Sequence, residues 1–164
     1  VLDALRELAD DADEAGVDLA LQPMHPMFAA DWTFLSGLDE TIDILAMASH
    51  PRIKLAFDIY HLWQEPDLQA RLPELVPLLG IVQLSDWREP PRSCQDRLLP
   101  GDGIIPLKGI IESLVRGGYR GHFDLQVWSE ETWNSDYLEL LIRARQQFEA
   151  LLPRIPVAAV EPAR

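Results

Sequence analysis

Apolar and polar residues along this chain follow two alternating rhythms. Leu2, Leu5, Leu8, Ala9, Ala12 and Ala15 recur at helical spacing and Gly16 stands where a helix C-terminus is expected, so the pattern predicts an opening helix. Four short apolar segments follow, each ending in a polar group: Leu19-Ala20-Leu21-Gln22, Ile53-Lys54-Leu55-Ala56-Phe57-Asp58, Gly80-Ile81-Val82-Gln83 and His122-Phe123-Asp124-Leu125-Gln126. They read as strands. The intervening spacing predicts helices from about Leu38 to Met47 with Asp39 as cap, from Asp67 to Leu79, from Pro106 to Arg116, and from Ser135 to Leu152. Pro106 suits the first helical position, where a missing N–H costs nothing. The prolines of Pro23-Met24-His25-Pro26-Met27 exclude helix there, and Trp87 to Gly103 reads as a long loop. One domain is expected over 1–152, with a disordered tail over 153–164.

The order α-βα-βα-βα-βα implies α/β architecture with a parallel sheet and right-handed crossovers. An open doubly wound sheet is one solution, but no glycine-rich phosphate loop follows the first strand. The other is a parallel (β/α) barrel of TIM type. Such a barrel needs about 250 residues, so this chain would supply about four βα units, a half or truncated barrel. The carboxyl ends of barrel strands converge on one rim, where Gln22, Asp58, Gln83 and Gln126 would then meet. Only Asp58 is charged.

Composition narrows the partners. Asp and Glu number 27 against 14 Lys and Arg, which argues against nucleic acid or an anionic membrane surface. No apolar run approaches the length of a membrane span. Cys94 stands alone, so no intramolecular disulfide forms; a passive loop thiol and a reducing cytoplasm are expected. The first residue is Val1, which raises the expectation of processing or of a piece of something longer.

Five motifs carry a resemblance: Gln22-Pro23-Met24-His25-Pro26, Asp58-Ile59-Tyr60-His61, Val82-Gln83-Leu84-Ser85-Asp86, Arg97-Leu98-Leu99-Pro100-Gly101-Asp102-Gly103, and Gly118-Tyr119-Arg120-Gly121-His122-Phe123-Asp124-Leu125-Gln126. In this order they resemble the carboxyl-terminal half of the sugar phosphate isomerase/epimerase family of xylose isomerase-like barrels. The resemblance implies a divalent metal such as Mg or Mn at the barrel mouth, a small sugar-like substrate, and two glutamates that ligate the metal and move a proton. Carried across, the metal positions are Gln22, Asp58, Gln83 and Gln126, with glutamine at both glutamate positions. An amide oxygen can ligate a hard cation but brings no charge, and it accepts no proton at neutral pH. A weak or absent metal is therefore expected, and any acid/base step would fall to His61 or His25. Arg97 would grip a phosphate or carboxylate, or pair with Asp86 or Asp102; Trp63, Trp87 and Trp128 would wall the pocket. Tyr119 would fix the start of its strand, while His50 and His122 read as structural.

Three readings follow: a metal-assisted isomerase or epimerase of small sugars, a non-catalytic carbohydrate-binding or vestigial domain, or an incomplete product. A four-strand piece would leave two open edges. Leu19, Leu21, Leu55, Phe57, Ile81, Leu84, Phe123 and Leu125 would not all find cover from helices, so the chain is expected to need an amino-terminal half-barrel or to self-associate.

Overall fold

Alternation along the strands sorts their side chains onto two unlike faces. In the computed structural model, which describes residues 1–29 and 31–153, four strands form one parallel sheet in the order β1-β2-β3-β6. They are β1 (Leu19–Leu21), β2 (Ile53–Asp58), β3 (Leu79–Leu84) and β6 (Phe123–Leu125). The pairs Leu21↔Leu55, Phe57↔Val82 and Leu84↔Leu125 put Leu21, Leu55, Phe57, Val82, Leu84 and Leu125 on one side. That side meets the helices. Leu55, Phe57, Val82 and Leu84 are fully buried there, each worth about 1.5–3 kcal/mol of transfer free energy.

The other face is polar. Asp58, Gln83 and Asp124 stand side by side across β2, β3 and β6, and Ala20 and Lys54 share the same side nearer the strand starts. Ile81 is its one large apolar strand residue. Of the apolar strand residues named from the sequence, all except Ile81 lie on the helix side. The sheet manages this because its inner positions carry small or polar residues instead of the bulky layers of a filled barrel.

The helix layer contains α1 (Leu2–Ala15), α2 (Leu38–Ala48), α4 (Leu68–Leu75), α5 (Leu107–Arg116) and α7 (Tyr137–Leu151), with the one-turn helix α3 (Ile59–Leu62) directly after β2 and the one-turn helix α6 (Glu130–Trp133) in the segment between β6 and α7. Leu107, Ile110, Ile111 and Leu114 form the buried stripe of α5, which packs on Leu68, Leu72 and Leu75 of α4. Several local expectations change. Gly37, not Asp39, is the cap position of α2; Asp39 lies in the first turn and pairs with Arg71. Pro106 stands one position earlier than expected, at the cap of α5. Pro73 lies inside α4, which stops at Leu75 and gives way to a 3-10 turn, Val76–Leu78. Pro26 starts a 3-10 turn through Phe28, which its fixed φ permits at a first position. The stretch after β3 is not wholly loop: β4 (Asp86–Trp87) and β5 (Arg97–Leu98) pair antiparallel. The tail predicted over 153–164 lies, from residue 154, outside the described residues.

Candidate active site

Asp58 ends β2 at the centre of the sheet and is completely buried. Its Oδ1 accepts the backbone N–H of Tyr60 at 3.0 Å, which caps α3, while Oδ2 accepts Arg97 Nη2 at 2.8 Å and Gln22 Nε2 at 3.1 Å. Burial raises the Asp58 pKa, opposed by the Arg97 charge and hydrogen bond and by the Tyr60 N–H. Every partner is a donor. The arrangement therefore holds the carboxylate form.

The β4–β5 ribbon carries Arg97 back over the sheet. Its Nη1 donates to Ser85 Oγ at 3.1 Å, and its guanidinium carbon lies 4.3 Å from the centre of the Tyr60 ring. Arg97 Nη2 also faces His61 Nε2 at 3.0 Å. Arginine has no acceptor, so His61 accepts through Nε2 and carries its proton on Nδ1, which is buried without a partner. Burial, then the charges of Arg97 and His25, push the His61 pKa down to about 3, so the ring is neutral. A base whose lone pair is occupied by a guanidinium is poorly placed to take a proton.

Asp86 does not pair with Arg97. Its carboxylate accepts the N–H groups of Trp87, Gly101 and Ile105, pinning the Pro100–Gly103 turn, while Asp102 pairs with Arg143 at 2.6 Å. A Cβ on Gly103 would lie 2.4 Å from the Trp87 carbonyl, so the turn requires glycine there. Tyr119 donates its hydroxyl to the His122 carbonyl at 2.6 Å and fixes the start of β6 as the motif suggested. His50 accepts the Arg52 N–H, a local structural contact.

Sequence-selected residues separate into a group at the rim and others beyond it. Gln22, Asp58, His61, Gln83 and Arg97 gather there, and Gln83 Oε1 is buried with no partner among the described residues. His61, Arg97 and half-exposed Trp128 line a cavity of about 50 Å³ with Phe28, Trp32 and Cys94. His25 borders a neighbouring cleft; its Nδ1 accepts the Met27 N–H and its Nε2 meets Gln64 Oε1 at 3.0 Å, so both nitrogens are engaged. Trp63 is partly buried and lines a groove with residues of α4 and α5, its ring 6.1 Å from Trp87. Trp87 is buried against Tyr60, not on the cavity wall. Sequence reading missed Asp124, which shares the row of Asp58 and Gln83 and accepts Gln126 Nε2 at 3.2 Å. The signal was present: Asp124 and Gln126 are two apart in a strand and so share a face.

The loop before β5 is tied down by charge. Arg92 reaches Asp96 at 2.6 Å and Glu131 at 3.1 Å, and Arg88 reaches Glu131 at 2.6 Å. Arg92, with Arg88 assisting, holds the Asp96 pKa down at about 2. The latch joins the cavity's loop to α6.

A family model for the xylose isomerase-like TIM barrel matches residues 1–147. The chain belongs to this family. Fructoselysine 3-epimerase of Escherichia coli O157:H7 is 27% identical over 154 residues, covering 91% of this chain and 52% of the relative. A crystal structure of a Sinorhizobium meliloti 1021 protein aligns with a TM-score of 0.85 at 28% identity, over 92% of this chain and 56% of that one. D-psicose 3-epimerase of Clostridium cellulolyticum H10, solved with D-tagatose, aligns with a TM-score of 0.73 at 21% identity, over 92% and 53%. That last likeness bears on fold alone. The chain spans about half the length of the curated relatives it matches.

The resemblance to the xylose isomerase-like family implies a divalent metal, and the four carried-over residues do not fit one as arranged. Both Asp58 oxygens already accept donors, and Gln22 and Gln126 each turn their NH2 group toward a carboxylate. Arg97 already places a positive charge at Asp58, and at an effective dielectric near 20 each unit-charge repulsion at close range costs about 4 kcal/mol. Among the described residues, no three His, Cys, Asp or Glu side chains group as metal ligands. No helix among them is long and apolar enough to cross a membrane.

Proposed function

We propose that this chain forms the sugar-binding rim of an isomerase/epimerase-like barrel that holds its ligand but has lost the two-glutamate proton transfer. The observation that carries the reading is the convergence of Asp58, Gln83 and Asp124 with Arg97 and His61 at the carboxyl ends of three parallel strands, while amides stand at positions 22 and 126. Gln83 Oε1 and His61 Nδ1, an acceptor and a donor buried without partners among the described residues, would meet hydroxyl groups once the rim opens to admit them. The fructoselysine 3-epimerase relative suggests the ligand class, a ketose-type sugar. A cavity of about 50 Å³ encloses only part of a sugar, against about 300 Å³ or more for a complete small-molecule site. The remaining wall would come from an amino-terminal half-barrel or a second copy closing on β1 and β6, the two strands at the ends of the sheet order.

The second reading, an active epimerase, is favoured by the fructoselysine 3-epimerase match. It would require His61 or His25 to move the proton, and the nitrogen lone pairs of both are engaged. One experiment separates the two. Ketoses such as D-fructose and D-psicose are titrated into the purified protein by NMR in D2O, and deuterium entry at the sugar carbons is followed. Saturable shifts at His61 and Gln83 without deuterium entry are expected; steady entry would establish the epimerase, and no shifts at all would end the binding reading.

A further inference from the structure

We propose that Arg97 is the resident cation of this site, its guanidinium standing where a divalent ion would sit among Asp58, Gln22 and Gln83. Arg97 is buried, arrives from a separate ribbon, and is held from several sides: Asp58 Oδ2 at 2.8 Å, His61 Nε2 at 3.0 Å, Ser85 Oγ at 3.1 Å and the Tyr60 ring face. A planar fork with fixed N–H directions matches that set of acceptors, as a spherical ion would not. Gln22 fits the same scheme. Its NH2 donates to the carboxylate oxygen that Arg97 also uses, so the amide works as a second donor to Asp58, a role closed to a glutamate. His61 fits it too, because a neutral ring accepting through Nε2 relieves an Arg97 N–H that would otherwise be buried unpaired.

Gln22, Arg97 and His61 therefore form one hydrogen-bonded unit around Asp58, with charge balanced inside the protein. A sugar at this site is held by hydrogen bonds and not by coordination. The inference stands apart from the sugar-binding reading, because its test reads metal and not sugar.

Mn2+ is titrated into the EDTA-stripped protein and followed by electron paramagnetic resonance. No saturable binding is expected below about 1 mM for the unmodified protein, the weak end for oxygen-ligand sites, and at least about tenfold tighter binding for Arg97→Met. Equal affinity in the two proteins would overturn the assignment. Removing Arg97 leaves Asp58 unpaired in the interior, so a second measurement uses the unmodified protein alone. Side-chain 15N–1H signals of Arg97 and Gln83 should keep their widths with Mn2+ present; selective paramagnetic broadening of both at sub-millimolar metal would overturn the proposal even if Arg97→Met failed to fold.

Discussion

Asp58 and Gln126 stand at the ends of two strands in the same sheet, yet their surroundings differ. Asp58 ends β2, which is flanked by β1 and β3; it is wholly buried and accepts three hydrogen bonds from three separate segments. Gln126 follows β6, the last strand in the sheet order, is half-buried, and has one side-chain contact, to Asp124 two residues away. On α7, Tyr137, Leu138, Leu141 and Ile142 lie exposed. A site residue on an inner strand is fixed by neighbours on both sides. Gln126 is held from one side, through its backbone N–H on the Leu84 carbonyl, and its side chain is tied within its own segment, so its geometry is softer.

The largest expected effect breaks the centre. Arg97→Met should cost about 3–5 kcal/mol in urea unfolding, because the Asp58 carboxylate is left buried without its charge partner. Adding Asp58→Asn should return most of the loss, since the pair is then removed together. A loss below about 1 kcal/mol would mean that the pair is open to water.

The two glutamines sharpen the comparison. Gln22→Glu replaces a donor to Asp58 with a second carboxylate against a buried one, and should destabilise by about 2–3 kcal/mol at pH 7 without metal. Gln126→Glu sets a carboxylate beside half-exposed Asp124, where solvent screens the repulsion, and should cost less than about 1 kcal/mol. The double substitution should raise Mn2+ affinity by orders of magnitude, because it supplies two charges. Equal costs for the single variants would dissolve the distinction between centre and edge.

The strands were legible because β2 runs apolar on one face and small or polar on the other, so its period and its end both read clearly, and β3 follows the same pattern except at Ile81. The meeting of Asp58 with Gln22 and Gln83 followed from strand ends alone. Arg97 was legible as a residue of the rim but not in its partner: Asp86 and Asp102 are nearer in sequence, yet the first is committed to three backbone N–H groups and the second to Arg143. A two-residue ribbon, too short to leave a periodic signal, delivers Arg97 to Asp58 across 39 positions. His61 came to the site but lost its expected freedom to burial, and Trp63 lines a separate groove with α4 and α5.

Acidity tests the latch that ties the cavity loop to the edge. The Asp96 carboxyl is held below its ordinary value, at about 2, chiefly by Arg92. A carboxyl with a lower pKa folded than unfolded stabilises fully above the unfolded value, so the contribution is present above about pH 4 and is lost as pH falls toward 2. With Arg92 and Glu131 largely exposed, about 1 kcal/mol is at stake after screening. Hydrogen exchange over Arg88–Asp96 should accelerate in that window, and Arg92→Ala should show the faster exchange already at pH 7. Protection unchanged down to pH 2 would mean that packing, not charge, holds the loop.

The smallest effect lies on α7. Leu141 is 66% exposed and touches little of the core, so Leu141→Ser should shift urea stability by no more than about 0.5 kcal/mol, as at other surface positions. The same face is where an adjoining half-barrel or second copy would make its stability felt, because a side chain exposed in one chain becomes interior once covered. If Leu141→Ser instead costs about 2 kcal/mol or more, with a midpoint that depends on protein concentration, the edge is closed in solution by another copy of the chain. The softness of the β6 end would then belong to the single chain and not to the working protein.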